Sequence, residues 1–289
     1  MPHDDRHERF APGPALLLLA ALLFAAGPTH AIGTITDGSV TFGYTDDFAT
    51  SFGDTVDTQF IGAATGDLTW ESWWFYRVAG DTRETAFGTP DAESYTGSIG
   101  RLDWDDPTGS GDFSAFLRME VMDTGAGMGN LFQNLTILNT GTSVLTIDIF
   151  HYTDLDVENS FGGDSASLVP NPEAIEIAVG DGGDAAPIIA YGADAYQVTP
   201  YRTVLNALTD GNVDDLDDSG LPFAPADYTG AFQWSLTIGV GEAEDFVTQF
   251  GSNAPLLPRS TSAVPEPGTA LGVGLGCALL SARRRSPRT

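Results

Sequence analysis

Residues 231–240 read AFQWSLTIGV, and the reading of this stretch decides the fold. Phe232, Trp234, Leu236, Ile238 and Val240 alternate with Gln233, Ser235, Thr237 and Gly239, a period of two that places one set on each face of a β-strand. Residues 115–122 repeat the pattern: Ala115, Leu117, Met119 and Val121 against Phe116, Arg118, Glu120 and Met122. Further strands are expected near Ser39–Thr45, Asp67–Val78, Tyr95–Trp104, Leu131–Asn139, Ser143–Tyr152, Glu173–Val179 and Ala186–Tyr191, separated by Gly, Asp, Asn and Pro clusters. Asn139-Thr140-Gly141-Thr142 reads as a hairpin turn, because Asn and Gly tolerate positive φ. Only Tyr201–Leu208 hints at a helix, and no internal repeat is present. The expected architecture is an all-β antiparallel sandwich in a single domain over residues 32–258.

The composition narrows the chemistry. All 12 basic residues are arginine, against 40 acidic ones, for a net charge of −28. Such a charge repels nucleic acid and anionic membrane surfaces and favours divalent cations. The one cysteine, Cys277, lies near the C-terminus, and His151 is the only histidine between residues 32 and 258. That inventory excludes thiolate and multi-histidine metal sites and lysine Schiff bases within the domain, leaving carboxylate chemistry.

Both ends look like addresses. Arg6 and Arg9 precede an apolar stretch from Ala15 to Ala26, and Thr29-His30-Ala31 offers small residues for a signal peptidase, so residues 1–31 are expected to be a cleaved signal peptide. Residues 259–289 form a linker and tail in which Val264-Pro265-Glu266-Pro267 precedes a Gly-rich apolar run, Thr269 to Ala282, and then Arg283, Arg284 and Arg285. At about 1.5 Å per residue that run spans about 21 Å, short for a bilayer core of about 30 Å. These ends resemble the PEP-CTERM proteins of Gram-negative bacteria. The resemblance implies export, transient inner-membrane insertion as a short transmembrane helix, and removal of the tail by an exosortase near Pro265–Pro267. Trp73–Val78, Ile147–Asp156 and the Phe-x-Trp strand at Phe232 are similar to segments of other exported PEP-CTERM proteins, a looser likeness that carries no established activity.

Three groups are candidate sites. Glu71, Trp73, Phe75 and Arg77 share one strand face and suit a glycan platform, with the aromatics stacking on sugar rings; the competing reading is a strand buried on both faces. Asp154, Asp156 and Glu158 alternate, with Asn159 and Asp164 close behind, and suit calcium, although Asn159 and Ser165 stand where an EF-hand requires Gly and Glu. Asp210, Asn212 and Asp214 start a second such loop, and both loops also read as solvated acidic turns. Asp103, Asp105 and Asp106 beside Trp104 mimic a glycosidase carboxylate pair, but acid pairs arise by chance in so acidic a chain. His151, on the face of Leu145, Ile147 and Ile149, reads as a core histidine.

The expectation is an exported, non-enzymatic surface or matrix protein associated with exopolysaccharide or biofilm, with calcium as its one candidate cofactor. The alternatives are a secreted carboxylate-based carbohydrate-active enzyme and a calcium-stabilised adhesive module.

Overall fold

The computed structural model describes residues 33–49 and 54–258. They form an antiparallel all-β sandwich-like fold. A five-stranded sheet runs in the order Ala195–Pro200, Tyr228–Ile238, Leu145–Leu155, Thr69–Val78, Thr85–Ala86. A ten-stranded sheet packs against it, with Ala243–Ser252, Met128–Asn139 and Phe113–Gly125 as adjacent central strands. A four-stranded sheet, Gly33–Asp37 to Gly66–Asp67, leans on the larger one, where the Tyr44 hydroxyl donates to Met119 Sδ at 2.8 Å. Val264, Pro265, Glu266, Pro267 and Arg283–Arg285 lie outside the described residues, and no helix among those described is long and apolar enough to cross a membrane.

Alternation fills the space between the two large sheets. Ile147, Ile149 and His151 from one strand and Trp74 from its neighbour meet Leu117, Leu135 and Phe250 of the opposite sheet in one apolar core. Trp74 Nε1 donates to Gln133 Oε1 across the sheets at 2.8 Å, and Trp234 meets Phe246 edge to face at 5.8 Å. His151 is fully buried, 4.3 Å from the Trp74 ring, with Nε2 3.2 Å from Ser72 Oγ. Desolvation pushes its pKa down to about 3, so it is a neutral core residue, as its position on the apolar face predicts.

Three sequence readings need correction. The Asn139–Thr142 segment is not a hairpin turn: the strands it joins belong to different sheets, so it arches from one layer to the other. The Asn139 amide fixes this arch by donating to Ser143 O and Ile238 O, both at 2.9 Å, and Asn139 O accepts from Gly241 N in the adjoining arch. Tyr95–Trp104 is two strands, Ala92–Thr96 and Ile99–Trp104, turned at Gly97, where φ is +58°. Trp70, which strict alternation along this strand would place on the core face with Trp74, is 52% exposed, because the pairing slips between Asp154↔Glu71 and Leu155↔Thr69 and leaves Trp70 as the extra residue of a bulge.

The five-stranded sheet is also covered on its outer face. The helix Thr203–Thr209 lays Val204, Leu205 and Leu208 against it, and the segment after the helix continues the cover, with Leu216 N donating to Gln233 Oε1. The glycan platform is thereby corrected: Trp73 and Phe75 are 1% and 0% exposed, and Trp73 sits among Tyr44, Phe48 and Trp104 with its Nε1 on Phe87 O. Arg77 is turned inward to Glu84 (2.6 Å), Asp148 (2.6 Å) and Asp215 (2.5 Å) and also donates to Asp214 O. Removing this guanidinium strands the buried Glu84 carboxylate. Arg77→Ala is expected to cost about 3–5 kcal/mol in urea unfolding, against about 0–1 kcal/mol for Arg118→Ala in the far more exposed pair with Glu120. Equal losses would mean that the buried pairing is not what stabilises this face.

Candidate functional site

The remaining carboxyls on the outer face collect at the end of the sheet opposite to Arg77. Register places Asp154 directly across from Glu71 on one side and Thr229 on the other. Asp156 follows as the strand leaves the sheet, its amide donating to Leu68 O, while Asp227 precedes the Tyr228–Ile238 strand and its carbonyl accepts from Tyr201 N at 3.0 Å. One carboxyl oxygen each of Asp154, Asp156 and Asp227 lie within 4.8 Å of one another. Asp154 is 2% exposed and the other two are half-buried.

These groups are desolvated without compensation. Asp154 is pushed up to about 9, first by burial and then by repulsion from Asp156, Asp227 and Glu71. Burial also raises Asp156, with Asp227 adding repulsion, and raises Asp227 itself. Glu71 is raised by burial and by Asp57; Arg202 and the Tyr152 hydroxyl, which donates to Glu71 Oε2 at 3.3 Å, oppose this. Next to Glu71 an isolated bridge brings Asp57 alongside, and Asp57 N donates to Asp46 Oδ1 at 2.9 Å. Asp46, at the exposed rim, is pushed up to about 6 by partial desolvation and by Asp57. Arg202 takes a left-handed φ of 64° and its Nε donates to its neighbour Tyr201, whose ring, like that of Trp70, is exposed.

The residues proposed from sequence divide accordingly. Asp154 and Asp156 come together as expected, but Glu158 does not join them: its Oε1 accepts from Gly183 N at 2.8 Å, and Asp227 takes its place. The buried acidic trio can hold a metal ion through oxygen alone. Glu71 belongs to this end, while Trp73, Phe75 and Arg77 serve packing and ion pairing. Asp210 closes a local turn on Asn212, Asp105 N donates to Asp91, and Asp106 caps its own loop by accepting from Gly111 N and Thr108 Oγ1, so these acids are engaged in local loop contacts.

No protein-family model matches the sequence, and no curated protein matches it. Among solved structures the chain is similar to a bacterial glucoamylase complexed with acarbose, at 10% identity and a TM-score of 0.50, covering 84% of this chain and 34% of that one. It is also similar to a protein assigned as a kojibiose phosphorylase from the human microbiome, at 10% identity and a TM-score of 0.34, covering 88% and 30%. The chain spans about a third of the length of these structures, and the glucoamylase likeness is one of fold. It corrects the non-enzymatic expectation: this fold occurs within an enzyme, and six carboxyls gather at one end of the sheet.

Folding places a proton on Asp154 that the unfolded chain releases above the ordinary carboxylate range. The resulting stability is complete at acid pH and is lost as pH rises toward 9. His151, lowered to about 3, acts in the opposite sense but only below its ordinary value of about 6.5. In EDTA, the stability of the full chain is expected to fall between pH 7 and pH 9, by up to about 1.4 kcal/mol per pH unit for each proton released. Thermal melts should show a shallower fall in Asp154→Asn, and identical slopes would contradict the assignment.

Proposed function

We propose that this chain is, or is part of, a carboxylate-based carbohydrate-active enzyme whose working site is the acidic end of the five-stranded sheet. The observation that carries this reading is the row Asp46, Asp57 and Glu71, which runs from an exposed rim into a buried carboxyl. Glycoside cleavage needs one carboxyl that keeps its proton and one that remains charged, held apart by environment. Asp46, pushed up to about 6, suits the acid that protonates the leaving oxygen; Asp57, also raised, by burial and by Asp54, is the neighbouring carboxyl for the partner role, with Glu71 behind it. Trp70 and Tyr201, exposed beside Glu71 and Arg202, suit the apolar faces of sugar rings. The net charge of −28 favours neutral glycans over anionic ones, and the glucoamylase likeness supports oligosaccharides of glucose as the first substrates to try. The cofactor this reading admits is calcium, matched to the all-oxygen trio.

The full chain, assayed by release of reducing ends from neutral α- and β-linked oligosaccharides, is expected to show turnover. Asp46→Asn should lower kcat by about 10²- to 10⁴-fold, and Trp70→Ala should raise KM with kcat largely kept. Absence of turnover across the panel, or full activity in Asp46→Asn, Asp57→Asn and Glu71→Gln alike, would overturn the reading. The route to the substrate is a separate proposal: export through a signal peptidase, transient membrane insertion and processing by an exosortase at Val264–Pro267, delivering the protein to the surface or an exopolysaccharide matrix. Intact mass spectrometry of surface and medium fractions should find a species lacking residues 1–31 and the arginine tail; a membrane species retaining Arg283–Arg285 would refute it.

A further inference from the structure

The trio of Asp154, Asp156 and Asp227 lacks what every other buried acid on this face has. Among the described residues no hydrogen-bond donor reaches any of the three carboxyls, and Asp154 Oδ1 is shielded from solvent with no partner at all. Among the described residues the buried Asp164 shares this lack at both of its oxygens and Glu84 at Oε2, whereas other acids of this chain have donors. Asp123 accepts from Ser39 N, Ser39 Oγ and Gly125 N, Asp67 from Phe60 N and Thr69 N, and Glu84 from Arg77 and Asp214 N. A buried acceptor without a donor is rare in folded proteins, and one facing two further carboxyls is rarer. The missing partner is positive and small.

We propose that Asp154, Asp156 and Asp227 bind one hard divalent cation of the calcium class, which clamps the end of the Leu145–Leu155 strand to the turn entering the Tyr228–Ile238 strand. This deepens the calcium reading and rests on it, but not on turnover of a glycan. Two features of the donor set fix the ion's class. All three ligands are carboxylates, and His151, the one described histidine, lies on the opposite face of the sheet, so a soft or imidazole-seeking metal has no claim on the site. Arg202 Nε is engaged by the Tyr201 hydroxyl, and the ion pairs of Arg77 and Arg118 among the described residues lie elsewhere, on Glu84, Asp148, Asp215 and Glu120. Carboxylates that bind through one or both oxygens also suit the large and flexible coordination sphere of calcium better than that of magnesium.

The test uses the full chain stripped with EDTA, followed by isothermal titration and thermal melting with calcium chloride. One saturable ion per chain and a Tm that climbs by several degrees with calcium concentration are expected. The response should vanish in Asp154→Asn and Asp227→Asn and persist in Glu158→Gln. Because Asp154→Asn removes a desolvated, repelled carboxyl, this variant should melt no lower than the wild type in EDTA, so a lost response cannot be ascribed to misfolding. No shift at millimolar calcium, or an equal shift in Asp154→Asn and Asp227→Asn, would overturn the proposal. Glycan turnover is not read, so failure here is separable from failure of the enzymatic reading.

Discussion

The five-stranded sheet is buried on both faces, and this constraint organises the rest of the molecule. A sheet with one wet face can leave its outward polar groups to water; this one cannot, because the Thr203–Thr209 helix and the segments around Glu84 and Leu216 close over it. Where the face is covered, a polar side chain needs its partner within the protein. Arg77 meets this need with three carboxylates and a carbonyl, Gln233 by accepting from Leu216 N and donating to Asp215, and Trp73 by donating to Phe87 O. The helix is short and carries no side-chain cap, so its position depends on the apolar contacts of Val204, Leu205 and Leu208 and on the polar ties around it.

The same constraint gives the two ends of that face opposite characters. At one end an arginine neutralises several acids; at the other several acids meet, and Arg202 acts on one of them, Glu71. Repulsion between carboxyls a few ångströms apart is weak in water and strong where water is excluded, so it is burial that makes this grouping costly. Proteins tolerate such a cost where the groups do something: hold an ion, or keep a proton that water would remove. The left-handed backbone of Arg202, a residue with no glycine-like freedom, points to the same end as a place where local strain is accepted.

Much of the fold was legible in the sequence, and the errors have physical causes. Period-two alternation found the strands that bury one face against the core, such as Phe113–Gly125 and Tyr228–Ile238. It missed Ala243–Ser252, central in the larger sheet, because Thr248, Gln249 and Ser252 are buried there and blur the pattern. An Asn-Gly turn signals a reversal, but a hairpin and an inter-sheet arch use the same residues, and only the pairing of distant strands separates them. Trp73, Phe75 and Arg77 are the right residue types for a sugar platform and equally for a doubly buried strand; what decides is the cover supplied by residues far away in sequence. Asp227 was not found beside Asp154 and Asp156 for the same reason. Its only local signal is a carboxyl directly before an apolar strand, which the sequence offers at many acidic turns.

The proposed ion site and the proposed acid–base row are not independent, because Glu71 and Asp154 are cross-strand neighbours on one face. With the trio uncompensated, Glu71 adds to the rise in the proton affinity of Asp154, while Glu71 is itself raised by burial and by Asp57. A divalent charge among Asp154, Asp156 and Asp227 would reverse the sign of the field at Glu71, favour its carboxylate, and widen the difference in proton affinity between it and the rim residue Asp46. That difference is what a pair of carboxyls needs in order to divide the roles of acid and base. The proposed cation site and acid–base row would then form one device, in which the clamp that closes the end of the sheet also sets the charge state of the residues beside it.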